Sequence, residues 1–205
     1  MTRFILVRHG QTEWNRVERF RGQADVPLNE VGLKQAEATG KRIAREWQVS
    51  AIYSSPLSRA LRTAEAIATY SSVPVQPHPN LTDINYGDWQ GLSPEEVAQR
   101  WKDELDRWYH QPHLCRIPNG ESLEDVRQRI LQAIRLLAKQ HLGQTIVVVG
   151  HTVINRVLLL AILGLGNDRF WHLRQATCAI NVFEEEEGDF TLVSLNDTCH
   201  LNDLS

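Results

Sequence analysis

Residues Leu6-Val7-Arg8-His9-Gly10-Gln11-Thr12-Glu13-Trp14-Asn15 form an apolar run that ends abruptly in Arg, His and Gly. A guanidinium is a planar bidentate fork and an imidazole can serve as nucleophile or acid, so the pair suits a phosphate group. Phe4 to Val7 is β-branched and aromatic enough for a buried strand, with Gly10 as its stop. Arg8 and His9 then stand at a strand's carboxyl end, where open α/β sheets place their ligand sites.

Three later segments repeat the theme. Ala51-Ile52-Tyr53 leads into Ser54-Ser55-Pro56-Leu57-Ser58-Arg59, which delivers Arg59 to the start of a helix. A cation there opposes the helix dipole, which is tolerable when an anion shares the same helix end. Val149-Gly150-His151-Thr152 closes another apolar strand, and Asp83 follows a third strand in a turn holding Tyr86, Gly87 and Trp89. Two Arg, two His and one carboxylate on one sheet edge supply a charge clamp, a nucleophile and an acid. Each alone is also what an ordinary strand end or turn shows. Their joint occurrence points to phosphate chemistry.

The elements that must position these residues alternate between strand and helix. The sequence predicts a helix from Leu33 to Trp47, strands at 51–53 and 74–76, and a helix from Ser58 to Tyr70. A helical insertion at about 92–122 carries one helix from Ser93 to Trp108, followed by a loop from Gln111 to Gly120. Ser122 caps a helix to about His141, and Thr145 to Val149 is apolar throughout, as a central parallel strand should be. A buried helix over Val153 to Leu163 is interrupted by Asn155 and Arg156. Ala179 to Phe183 and Phe190 to Ser194 flank an acidic turn, Glu184 to Gly188, as in a hairpin. The expected fold is one α/β domain over 1–205: a three-layer, doubly wound, mostly parallel sheet with an antiparallel edge strand and a helical insertion.

Composition narrows the function classes. The 205 residues are 42% hydrophobic and 23% charged, which is globular, and the net charge of −3 gives no broad nucleic-acid footprint. No stretch approaches the roughly 20 apolar residues of a membrane span, and the first apolar run is too short for a signal peptide. The expectation is a cytosolic enzyme with neither nucleic-acid nor membrane partner. Cys115, Cys178 and Cys199 are odd in number and widely spaced, so neither a disulfide framework nor structural zinc is expected. His110 and His113 flank Pro112 in the expected loop, no His-Glu-x-x-His is present, and no metal or other cofactor is expected.

The opening decapeptide resembles the signature of the histidine phosphatase superfamily, in its phosphoglycerate mutase-like branch. Further matches run in family order: Arg21-Gly22, Leu28 to Ala36, Tyr53 to Ala60, Gly87-Asp88-Trp89-Gln90-Gly91, Asn119-Gly120-Glu121-Ser122 and Val148-Val149-Gly150-His151. The resemblance implies a metal-independent phosphohistidine mechanism. His9 would attack the phosphoryl group, with Arg8, Arg59 and His151 holding its oxygens. Gln11, Thr12 and Asn15 would add neutral donors, and Arg21, Gly22 and Thr152 would belong to the substrate site. Asp83 falls where the family acid is usually Glu. It is one methylene shorter, so either the turn sits closer or the acid lies elsewhere.

Asn85-Tyr86-Gly87-Asp88-Trp89 stands where mutases show Arg-His-Tyr-Gly, and the chain lacks the mutases' longer insertion, so hydrolysis is favoured over transfer. Phe170-Trp171, Tyr109 to His113 and the tail Leu195 to Leu201 resemble metal-independent phosphoserine phosphatases. In that group the tail is thought to close over the site, which would make His200 a carboxylate partner. Tyr86 stands where those enzymes carry His, and it either donates to a carboxylate or packs. The expectation is therefore a small phosphorylated metabolite as substrate, L-phosphoserine in serine biosynthesis first. An α-ribazole phosphatase or broad sugar-phosphate phosphatase is the alternative; a phosphoglycerate mutase or a non-catalytic phospho-ligand module ranks below. Family members are often dimers, and the resemblance implies a homodimer here.

Overall fold

The computed structural model describes residues 1–15, 17 and 19–204. Six strands form one sheet: β1 (Thr2–Arg8), β2 (Ala51–Ser54), β3 (Val75–Pro77), β4 (Thr145–Gly150), β5 (Ile180–Glu186) and β6 (Asp189–Asp197), in the order β3-β2-β4-β1-β5-β6. Pairs β1·β4, β2·β4 and β2·β3 are parallel, and the β5–β6 hairpin makes the other edge antiparallel. The fold is the doubly wound α/β arrangement with a mostly parallel sheet and an antiparallel edge.

Alternation along β1 explains the layering. Ile5 and Val7 face one core with Ile43 of α1 (Glu30–Glu46) and Ala60, Ala64 and Ile67 of α2 (Ser58–Ser71). Phe4 and Leu6 face the other, with α5 (Leu123–Gln140) and α6 (Thr152–Ile162). Both faces are buried, so β1 and β4 read as continuous apolar runs. Register sets Arg8 opposite Gly150, so the residues that follow, His9 and His151, leave adjacent parallel strands side by side. Helix α1 packs on one face of the sheet and α6 on the other, the crevice geometry that open α/β sheets use for ligands.

Several boundaries differ from expectation. Helix α1 begins at Glu30, because Asn29 is already its N-cap and accepts from Gly32 N. Gly32 is part of its first turn: a Cβ there would lie 2.1 Å from the Gln11 carbonyl oxygen, so only Gly lets the Arg8–Gln11 turn pack on the helix. The expected single helix from 93 to 108 is two, α3 (Pro94–Ala98) and α4 (Lys102–His110), broken at Trp101, which packs partly buried on the core. That places His110 at a helix end and not in the loop. Finally, Glu184 to Glu186 belong to β5, where Glu184 pairs with Arg3 at 2.7 Å, and the turn tightens to Glu187-Gly188, both with positive φ (55° and 98°) as two-residue hairpins favour.

Candidate active site

The carboxyl edge of β1, β2 and β4 brings Arg8, His9, Arg59, Asp83 and His151 into one buried cluster. His9 and His151 are 1% and 0% exposed, with ring centroids 5.1 Å apart. His9 Nδ1 lies 2.7 Å from the Gly10 carbonyl oxygen, which can only accept, so the neutral ring carries its proton on Nδ1 and a lone pair on Nε2. His151 is the reverse. Its Nδ1 accepts from Arg59 Nε at 3.2 Å, which leaves the proton on Nε2, and that atom is buried without a partner. Burial first, then the surrounding guanidinia, hold both imidazoles well below the usual histidine range. Both rings are neutral at pH 7. One edge presents a lone pair and the other a donor.

Arg59, fully buried, is less free than its position suggested. It donates through Nη2 to the Gly22 carbonyl and through Nη1 to the Ala24 carbonyl, each at 2.7 Å, besides its bond to His151. Three of its five N–H groups are thus committed to holding His151 and the 22–24 loop. Gly22 belongs to the site through this contact: its φ is +47° and a Cβ would lie 2.7 Å from the Ile84 carbonyl oxygen. An anion does share the start of α2, because Asp25 accepts from Ser58 N at 2.8 Å and the Asp83 carboxylate lies 3.6 Å from Arg59 Nη2.

Asp83 is 7% exposed and 3.8 Å from His151 Nδ1. Its carboxyl group accepts from Ile84 N, and burial raises its pKa despite Arg59, the next strongest influence. Arg129 of α5 holds the segment behind it, donating to the carbonyls of Asn80 and Thr82, each at 2.8 Å, while its partner Glu121 accepts from Asn85 N. The Arg129–Glu121 pair was not foreseen as part of the site.

Arg8 donates to the Gln175 carbonyl, and the Gln175 side chain is held by a reciprocal amide pair with Asn181 of β5. Its Nε and Arg21 Nη1 are buried without partners. Burial leads in weakening the charged form of both guanidinia, and Arg21 and Arg156 press further on Arg8. A cavity of about 230 Å³ opens beside the cluster, its wall including Arg8, Arg21, Asp83, Tyr86, Thr152 and Arg156. Tyr86 packs edge-on to Phe20 and Trp108 as well as facing this space. Arg156 escaped the sequence reading, where it only interrupted an apolar helix. Its spacing of four from Thr152, at the start of α6, is the signal that could have found it.

Other expected site residues lie at its periphery. Asn15 Oδ1 accepts from Thr12 N and Oγ1, while Gln11 accepts from Asn29, so these side chains brace the turn after His9. His200 is not brought to the cavity. Its ring lies against α1, with Nε2 3.0 Å from Thr39 Oγ1 and Nδ1 3.3 Å from Arg42 Nη1, and the neighbouring Asp197 pairs with Arg42 at 2.6 Å. Helix α1 supplies the cation, Arg42, that holds Asp197 and His200, which is why the tail docks there. Among the described residues no group of three or more His, Cys, Asp and Glu stands together as a metal site.

The fold and this edge define an α/β protein with a buried cationic site for an anion, centred on two neutral histidines. The chain belongs to the histidine phosphatase superfamily (branch 1), which it matches over residues 4–198. It is 37% identical over 204 residues to phosphoserine phosphatase 1 of Hydrogenobacter thermophilus, covering 100% of this chain and 96% of that one. Among solved structures it is similar to Bacillus stearothermophilus YhfR (TM-score 0.94, 32% identity, covering 98% of this chain and 100% of that one). It is also similar to a mutant phosphoserine phosphatase of Entamoeba histolytica in complex with phosphoserine (TM-score 0.88, 30% identity, covering 98% and 100%).

Proposed function

We propose that this protein is a metal-independent phosphomonoester hydrolase that works through a phosphohistidine, with L-phosphoserine as its substrate. The observation that carries this reading is the fixed tautomer of His9: Nε2 holds a lone pair in a cluster whose buried donors, Arg8 Nε, Arg21 Nη1 and His151 Nε2, lack partners. Such donors suit the equatorial oxygens of a transferring phosphoryl group, where charge stabilisation is the main catalytic task. His9 Nε2 attacks phosphorus as the ester P–O bond breaks, and Asp83 gives its proton to the departing alkoxide. The Asp83 carboxylate then takes a proton from water, the new hydroxide attacks phosphorus, and the N–P bond breaks to release phosphate and regenerate His9. The raised pKa of Asp83 suits the acid role.

The relatives named above favour phosphoserine, and so does cavity size. About 230 Å³ is less than the roughly 300–1,000 Å³ of pockets for drug-sized ligands, and fits a three-carbon phosphoester better than a nucleoside phosphate such as α-ribazole phosphate. Phosphate release from L-phosphoserine, 3-phosphoglycerate and α-ribazole phosphate, with EDTA present, tests the reading. The highest kcat/KM should fall on phosphoserine, unaffected by the chelator. A preference for α-ribazole phosphate, loss of activity in EDTA, or isomerisation of 3-phosphoglycerate without phosphate release would contradict it. The reading further includes a cytoplasmic location, a step in serine biosynthesis and a homodimer, all supported by family resemblance. Sedimentation tests the dimer, with a monomer at micromolar concentration as the contrary outcome.

A further inference from the structure

We propose that Arg156 is the residue that selects substrates carrying a carboxylate, by holding that group against the aromatic wall of the cavity while the phosphate lies at the two histidines. This deepens the phosphatase reading and rests on it. The cavity wall holds four guanidinia, Arg8, Arg19, Arg21 and Arg156, against one carboxyl group, Asp83. One phosphoryl group does not need them all. Arg19 is already engaged, donating to the Gly91 carbonyl and lying 3.4 Å from Glu96. Arg8 precedes His9 at the end of β1, Arg59 donates to His151, and Arg21 adjoins Gly22, whose carbonyl holds Arg59, which assigns these three to the phosphate. Arg156 lies instead against Phe170 and Trp171, on the aromatic side of the cavity.

Its mounting is that of a fixed receptor. The guanidinium carbon lies 5.2 Å from the ring centres of both Phe170 and Trp171, and Trp171 is itself fixed by a 2.7 Å bond from Nε1 to the Trp108 carbonyl. Two such cation–π contacts restrain the guanidinium and reduce the ordering cost of binding. Arg156 Nε is buried and has no partner. Arg156 stands four residues after Thr152, about 6 Å along the α6 axis from the end that meets the phosphate. A short acid phosphorylated at its far end can reach both points at once.

The test compares esters that differ in the carboxylate. L-Phosphoserine carries carboxylate and ammonium, 3-phosphoglycerate the carboxylate alone, and O-phosphoethanolamine the ammonium alone. In the wild-type enzyme both carboxylate esters should exceed phosphoethanolamine in kcat/KM by roughly 10- to 100-fold, the range expected of a charge-assisted bond. Arg156→Gln should bring the phosphoserine-to-phosphoethanolamine ratio close to one. Arg156→Lys, which keeps the charge without the fork, should leave an intermediate ratio. Equal turnover of the three esters by wild type, or an unchanged ratio in Arg156→Gln, overturns the proposal. Calorimetric binding of phosphoserine and phosphoethanolamine to wild type separates the two readings. If no ester is hydrolysed but phosphoserine binds at least tenfold more tightly, the phosphatase reading fails and the carboxylate site stands. Equal binding of the two overturns it.

Discussion

Replacing Asp83 by Asn separates the roles of the cluster. The amide oxygen of Asn can keep the 3.0 Å bond from Ile84 N, so the turn is preserved, while the 3.6 Å ion pair with Arg59 is lost. Burial already disfavours the Asp83 charge, so removing it leaves Tm within about 4 °C of wild type, the shift expected for a change of 1 kcal/mol in a chain of this size. The chemical cost is larger. General acid catalysis is worth about 10²–10⁴-fold, or roughly 3–5 kcal/mol, and an alkoxide leaving group needs all of it. A leaving group that departs as a stable anion does not. With phosphoserine, kcat/KM of Asp83→Asn should fall by about 10²–10⁴-fold. With p-nitrophenyl phosphate it should fall by no more than about tenfold, because kcat/KM stops at the first irreversible step. The phosphoenzyme should then accumulate, because Asp83 is also the base for water, and stopped flow should show a burst of nitrophenolate. Equal losses on both esters with no burst would refute the assignment of Asp83 as the proton donor.

Three further outcomes follow from the same geometry. His9 and His151 refuse protons that unfolded histidines accept below pH 6.5, so their native pKa values lie below the unfolded ones and stability falls as pH drops through 6.5. Each ring contributes a slope of up to about 1.4 kcal/mol per pH unit, and thermal melts between pH 7.5 and 5.5 should show a shallower dependence for His9→Asn and His151→Asn. Arg129→Met frees the segment behind Asp83. It should lower kcat on phosphoserine by on the order of tenfold and Tm by roughly 5 °C, measured by steady-state kinetics and calorimetry. His200→Ala removes contacts to Thr39 and Arg42 rather than to the cavity, so phosphoserine kcat/KM should change less than about threefold while Tm falls by about 2–4 °C.

What the sequence could reveal follows from how local each signal is. Arg8-His9-Gly10 and Gly150-His151 were legible because an apolar strand followed by Gly announces a sheet edge, and parallel register then brings two such ends together. Arg59 was legible as a cation at a helix start, but its commitment to the carbonyls of Gly22 and Ala24 depends on a loop about 35 residues earlier in the chain. The Arg129–Glu121 support for Asp83 is hidden for the same reason: two ordinary charges on or near a helix gain meaning only from the turn they hold. Arg156 looked like a flaw in an apolar helix, since nothing local tells a polar break that faces solvent from one that faces a cavity. His200 is the opposite case. Its family-like surroundings suggested the substrate, whereas Arg42 and Thr39 offer it partners on α1.

The central claim is that phosphorus is carried on His9 Nε2. Rapid quench into alkali after mixing the enzyme with ³²P-labelled phosphoserine, followed by peptide mass spectrometry, tests it directly. The expected result is an acid-labile label on His9, formed before phosphate release and absent from His9→Ala. A label on any other residue, or turnover with no covalent intermediate under single-turnover conditions, would contradict it.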